Sequence, residues 1–199
     1  KIEYQNRKID ENNVLNIHEK KSSIRLGIIG RPNTGKSTLI NKIIGQKRLV
    51  TGVEAGITRD SIEVLWNYNN ELISIIDTAG LRKKAKVINI LEKDMVNDTL
   101  RTIKYSDICI LLIDASKGID KQDLTIARMI IGEGRGLIIG ANMWDKVLDK
   151  NIIKDEIINK LKISLSQIKK ISIVFISGLQ NQGIEKLFEM VLDIKKRLN

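Results

Sequence analysis

Cysteine and histidine are nearly absent: the 199-residue chain has one of each, Cys109 and His18. A disulfide framework needs paired cysteines, and a zinc site with its usual ligands needs several Cys or His side chains, so neither can be built. Aromatic residues make up only 4% of the chain. None interleaves with its densest basic stretch, which argues against reading single-stranded nucleic acid by base stacking. Trp66, Trp144 and Cys109 are assigned to packing. Long apolar runs are missing too. Residues 108–113 are typical of the longest, and fall far short of the roughly 20 residues a membrane helix needs. No internal repeat or low-complexity block is present. The chain begins at Lys1 and shows no signal-peptide pattern, so it is read as a piece of a longer protein.

What is present is ordinary globular composition with a basic bias. Apolar residues account for 42% and charged residues for 29%, which argues against global disorder. There are 34 Lys and Arg against 24 Asp and Glu, a net charge of +10. That favours an anionic partner such as RNA or a phosphorylated ligand, with a generally basic composition as the plainer alternative. Residues 1–22 are polar, rich in Lys, Asn and Glu, and lack a sustained apolar period. They read as a flexible tail or linker that includes His18. Residues 23–199 read as one domain.

Within that domain, strand and helix patterns alternate. Short apolar runs at 24–30, 61–68, 71–77, 108–114, 136–142 and 171–177 read as strands. Asn69-Asn70 marks a hairpin between the second and third. Helical periodicity follows at 36–44, 91–104, 121–132, 152–162 and 184–198. Continuous apolar strands separated by helices predict a six-stranded, mostly parallel, doubly wound α/β sheet with helices on both faces.

The strongest local signal is Gly30-Arg31-Pro32-Asn33-Thr34-Gly35-Lys36-Ser37, which fits G-x-x-x-x-G-K-[ST] between a strand and a helix. Glycines let backbone N–H groups turn inward around phosphate oxygens, and the helix N-terminus adds its dipole. Lys36 is expected to neutralise the β- and γ-phosphates and Ser37 to ligate Mg²⁺. Gly30, Asn33, Thr34, Gly35 and Thr38 complete the candidate nucleotide contacts here. Downstream, Asp77-Thr78-Ala79-Gly80 ends a strand. Asp77 can hold Mg²⁺ through water, and the Gly80 N–H can approach a γ-phosphate. In Gly56-Ile57-Thr58-Arg59-Asp60, Thr58 can add a second hydroxyl ligand. Loss of the γ-phosphate would then release both loops.

Two further loops fit a purine base. The Asp145 carboxylate, in Asn142-Met143-Trp144-Asp145, can accept from guanine N1–H and the 2-amino group. Adenine offers neither, so it would leave the carboxylate unpaired. Asn142 can tie this loop to the phosphate loop. Ser177-Gly178-Leu179 can turn backbone N–H groups toward the guanine O6.

These five segments, in this order, resemble a P-loop GTPase of the translation-factor type. A closer likeness is to the second G domain of the EngA/Der double-GTPase family. It is carried by Gly30-Arg31-Pro32-Asn33, Gly56-Ile57-Thr58-Arg59-Asp60, the segment from Asp77 through Leu81-Arg82-Lys83-Lys84, Glu92-Lys93, Gly118-Ile119-Asp120-Lys121-Gln122-Asp123 and Asn142-Met143-Trp144-Asp145, and it spans about residues 24–194. The resemblance implies binding of GTP and GDP with Mg²⁺, GTP hydrolysis, and a role in large ribosomal subunit assembly through rRNA. It also implies a preceding first G domain, a following KH-like domain, and a cytoplasmic location, or an organelle stroma in a eukaryote. With Lys36, Thr58 and Gly80 counted as catalytic, it points to a potassium ion held partly by Asn33, which can equally be a turn residue.

Two positions depart from the family pattern: Met143 stands where the family has Lys, and Gly178 where it usually has Ala. Leu81, which the family pattern shares, occupies the place of the water-orienting Gln of Ras-like GTPases. Residues 81–104 carry seven basic against three acidic side chains. They read as a salt-sensitive contact to rRNA or to the KH-like domain, or as a solvated loop. Two other functions stay open: the G domain of a tRNA-modification GTPase, and a nucleotide sensor with negligible hydrolysis.

Overall fold

The computed structural model describes residues 23–45, 54–55, 62–76, 92–168 and 170–198. The tail at 1–22, the 82–91 part of the basic stretch, and the candidate residues Thr58, Asp77, Gly80 and Leu81 lie outside them. In chain order the elements are β1 (Ile24–Ile29), α1 (Lys36–Ile44), β2 (Glu54–Ala55), β3 (Ile62–Tyr68), β4 (Glu71–Ile76) and α2 (Glu92–Tyr105). They continue as β5 (Ile108–Asp114), α3 (Lys121–Gly132), β6 (Gly136–Asn142), α4 (Lys150–Ser164), β7 (Ser172–Phe175) and α5 (Ile184–Leu198).

The six expected strands are present. The two-residue β2 adds a seventh at one edge, giving the order β2-β3-β4-β1-β5-β6-β7. β4, β1, β5, β6 and β7 run parallel. β3 returns antiparallel to β4, through a turn in which Asn69 and Asn70 both have left-handed φ of 51° and 63°. Two successive left-handed residues match the twist of a hairpin, and asparagine tolerates that conformation better than most residues.

β5 shows why the parallel strands read as unbroken apolar runs: all seven of its residues are buried. Its side chains alternate between two cores, as a pleated strand requires. Ile108, Ile110 and Leu112 join α1 and α5 on one face, through Leu39, Ile43, Leu187, Phe188 and Val191. Cys109, Leu111 and Ile113 join α2, α3 and α4 on the other, through Ile103, Ile126, Ala127, Ile130, Ile157 and Leu161. Burial pushes the Cys109 thiol up to about 11, and a hydrogen bond with Ser106 opposes the rise only in part. Together with its full burial, this fits the packing role. Trp66 stacks on Tyr68 and meets Phe188 edge-on, with centroids 5.1 and 4.4 Å away. That cluster seals the hairpin against α5.

The end of the sheet opposite the phosphate loop is closed by an ion pair. The Asp107 carboxylate accepts from the Arg25 backbone N–H at 2.9 Å and from the Arg25 guanidinium at 2.6 Å. Burial opposes ionisation of Asp107, but these hydrogen bonds and the Arg25 and Arg135 charges outweigh it and hold the carboxyl below its ordinary 3.8. A carboxylate with a depressed folded-state pKa stabilises the fold above its unfolded-state value, and that contribution fades as pH falls through the folded-state value. In urea titrations, wild type should therefore exceed Asp107→Asn in stability at pH 7, and the gap should close below pH 3.8.

Candidate functional site

Strand order reverses around β1: the connection through α1 leads to one side of it, and the connection through α2 to the other. Helix layers diverge at such a switch point and leave a crevice beyond the carboxyl ends of the strands. The segments following β1, β6 and β7 all arrive there.

The turn from β1 into α1 is shaped by two glycines with left-handed φ, Gly30 at 150° and Gly35 at 90°. A Cβ on Gly30 would sit 2.3 Å from the Leu112 carbonyl oxygen, and one on Gly35 2.2 Å from the Asn142 Nδ2. No side chain fits at either position, so the backbone itself forms the surface. Asn33 is the third left-handed residue, at φ 63°, which is the geometry of a turn residue. The Lys36 ammonium donates to the Gly30 and Arg31 carbonyls, both at 2.6 Å. The Thr34 hydroxyl also donates to the Arg31 carbonyl, at 2.9 Å, so what Thr34 can offer a ligand is its backbone N–H. Ser37 and Thr38 are exposed on the first turn of α1. That turn has no acidic residue, so its dipole faces the crevice unopposed.

Asn142, at the end of β6 and only 3% exposed, joins the halves of the site. Its Nδ2 donates to the Thr34 carbonyl at 2.8 Å, and its Oδ1 accepts from the Gly178 N–H at 3.0 Å. Met143 follows with a left-handed φ of 61°, a conformation costing about 1–2 kcal/mol for a residue with a Cβ. Neighbouring contacts enforce it. The Trp144 N–H donates to the Ile176 carbonyl at 3.1 Å, the Lys146 N–H to the Met143 carbonyl at 2.9 Å, and Trp144 packs on Phe175 at 4.4 Å. Asp145 sits half-buried in the resulting single 3₁₀ turn.

After β7, the Ser177 N–H donates to the Gln182 carbonyl, the Gly178 N–H is used by Asn142, and the Ser177 hydroxyl accepts from the Gln180 N–H at 3.0 Å. Among the described residues, this leaves the N–H of the 73%-exposed Leu179 as the one this segment can turn toward a base. Thus the Asn142 amide holds together the loop that carries Gly30, Asn33, Thr34, Gly35, Lys36, Ser37 and Thr38 and the segments after β6 and β7 that carry Met143, Asp145, Ser177, Gly178 and Leu179, all at the carboxyl end of the sheet.

One contact set at the site was missed by sequence reasoning. The Arg31 Nε donates to Asp123 Oδ1 at 2.8 Å and its NH1 group to Asp120 Oδ2 at 2.9 Å. These partners lie 92 and 89 residues away, so no local pattern announces them. The only available hint was the charge pair Asp120 and Asp123 at the start of a predicted helix.

The pattern of the 50S ribosome-binding GTPase family matches residues 25–143. A protein from Brucella anthropi named GTPase Der is 47% identical over 169 residues, which cover 85% of this chain and 35% of that protein. The GTPase Der of Bartonella bacilliformis is 43% identical over 183 residues, 92% of this chain and 39% of its own length. The chain therefore spans little more than a third of these relatives. Among solved structures, Era in complex with MgGDPNP and a fragment of 16S ribosomal RNA superimposes with a TM-score of 0.64 at 26% identity, covering 86% of this chain and 56% of that one. Era from Aquifex aeolicus bound to GDP and aluminium fluoride gives 0.63 at 25% identity, covering 85% and 56%.

Removing the Asn142 amide would leave two buried backbone groups, the Thr34 carbonyl and the Gly178 N–H, without their partner. We expect Asn142→Ala to lose about 1–3 kcal/mol of unfolding free energy, the usual range for an unsatisfied buried group. Chemical denaturation without any ligand tests this, and an unchanged midpoint would refute it.

Proposed function

The chain belongs to the family of 50S ribosome-binding GTPases, and from that membership and the site's geometry we propose that residues 23–199 form a G domain that binds guanine nucleotide with Mg²⁺ and hydrolyses GTP. GTP hydrolase is the enzyme class of the family and of its GTPase Der relatives. The observation that carries the assignment of roles is the double hydrogen bond of Asn142, which fastens the phosphate-binding turn to the base-binding loops at 2.8 and 3.0 Å. Residues 1–22 are then the preceding linker.

The loop at 30–37 takes the phosphates, with Lys36 leaving its two carbonyl partners for phosphate oxygens. Ser37 offers a hydroxyl oxygen at the start of α1, a donor suited to Mg²⁺, which prefers oxygen ligands and shares itself with phosphate. Thr58 and Asp77 are the further metal-side residues, and Gly80 the γ-phosphate sensor. When bound, Mg²⁺ neutralises charge building on the β- and γ-oxygens. Asp145 accepts from guanine, Met143 lies against the base, and the Leu179 N–H serves its O6. Asn33 is proposed to help hold K⁺, supplying positive charge where Leu81 cannot orient water.

At the level of the whole protein, we propose a nucleotide-dependent switch in assembly of the large ribosomal subunit. The basic residues of 81–104 meet rRNA or a KH-like domain, in company with a first G domain. Era is solved with ribosomal RNA, and the relatives are two to three times longer than this chain; both support that reading. No helix among the described residues is long and apolar enough to cross a membrane, and the cytoplasm is the proposed location. Leu81 and Met143 favour one second reading, a nucleotide sensor that hydrolyses little.

Calorimetric titration with GTP, GDP and ATP in Mg²⁺ tests the site. Guanine nucleotides should bind at least about a hundredfold more tightly than ATP, because adenine leaves the Asp145 carboxylate without donors. Comparable affinities would remove the assignment. Met143→Lys should bind GDP more tightly than wild type, because it regains a charge near the ribose and phosphate loop; equal affinities would defeat this. Single-turnover hydrolysis should run faster in potassium than in sodium, with the difference lost in Asn33→Ala. Equal rates would leave Asn33 as a turn residue.

A further inference from the structure

Resting on the nucleotide-binding reading above, we infer that Arg31 and Asp123 are a positioning pair: through them the first turn of α3 sets the shape of the phosphate loop before nucleotide arrives. Arg31 is where the loop's internal and external contacts meet. Its carbonyl accepts from the Lys36 ammonium at 2.6 Å and from the Thr34 hydroxyl at 2.9 Å. Its side chain leaves the loop and reaches α3, where the guanidinium bridges Asp123 at 2.8 Å and Asp120 at 2.9 Å.

The two carboxylates are not equivalent. Asp120 is 54% exposed, whereas Asp123 has no exposed side-chain surface. A carboxylate taken out of water stays charged only if it is paired and hydrogen-bonded. Asp123 meets that condition with the Arg31 Nε on one oxygen and the Asp120 backbone N–H, at 3.0 Å, on the other. The second bond also fixes the start of α3. The same carboxylate therefore holds the helix start and the loop at once. A planar guanidinium directed at two carboxylates has little freedom to slide, so the loop's register relative to α3 is fixed. α3 in turn packs against α2.

The consequence is preorganisation. A phosphate loop must point its N–H groups inward, and any freedom it has when empty is lost on binding. Without the pair, that ordering falls to the nucleotide, and affinity drops although no residue touching the ligand has changed. A merely structural ion pair would instead affect folding alone.

The test measures thermal melting without nucleotide and the GDP·Mg²⁺ dissociation constant by calorimetry, on the full chain. It compares wild type, Arg31→Lys, Asp123→Asn and the double variant Arg31→Met/Asp123→Leu. Lysine keeps the charge but loses the fork, and we expect it and Asp123→Asn to weaken GDP binding by roughly tenfold or more through the added ordering cost. The double variant removes the buried charge together with its partner, a replacement that is often neutral or stabilising. It should regain the wild-type melting temperature yet keep the weak affinity. The inference is overturned if either single variant binds GDP within twofold of wild type, or if the double variant recovers affinity together with stability. Should the double variant fail to fold, the Arg31→Lys affinity decides alone. Absence of GDP binding by wild type would instead count against the nucleotide-binding reading.

Discussion

A loop that turns its backbone N–H groups toward a ligand cannot use those groups to hold itself together. Every other feature of this site answers that constraint. The glycines at 30 and 35 provide the shape but nothing to enforce it, since they contribute no side-chain contact of their own. Beyond the bonds that Lys36 and Thr34 make to the Gly30 and Arg31 carbonyls, enforcement comes from outside the loop. Asn142 grips the Thr34 carbonyl from the end of β6, and Arg31 anchors the near limb to α3 through a buried carboxylate. One tether ends on a strand of the sheet and the other on a helix packed against β5 and β6, so the rigidity of the core is passed to a segment with no core of its own.

This arrangement explains why the turn after β1 and the loops after β6 and β7 are held together. Asn142 is the last residue of a strand paired on both sides, to β5 and to β7. Its position is therefore set by the sheet rather than by a flexible connection. By accepting from the Gly178 N–H as well, it fixes the loop after β7 relative to the turn after β1. The strained backbone of Met143 belongs to the same economy: a residue with a Cβ persists in the left-handed region because the Trp144 and Lys146 bonds leave it no alternative. Strain held by surrounding structure is common where a side chain must be aimed.

Much of the fold was legible because its signals are local. The hairpin at Asn69-Asn70 follows from two residues that accept left-handed φ, and the strands β1, β5 and β6 from apolar runs bounded by turns. α4 extends two residues beyond its expected limits at each end, from 150 to 164, because Lys150, Asn151 and Ile163 are exposed and lie off the buried face whose apolar period marks a helix in sequence. The two-residue β2 was not legible at all, since a strand that short carries no pattern. Its existence depends on pairing with β3.

The sequence by itself determined the glycine-rich turn after β1, the order of the loops that follow it, and the residue types along them. Those depend on spacing along the chain and on what glycine, lysine or a carboxylate can do chemically. Only the tertiary structure decided how the loops are held. It paired Arg31 with Asp123 across 92 residues, placed the Asn142 amide between two backbone groups, and spent the Gly178 N–H on that amide rather than on a ligand. Such bonds join groups far apart in the chain, and the geometry that makes them possible exists only once the sheet has formed.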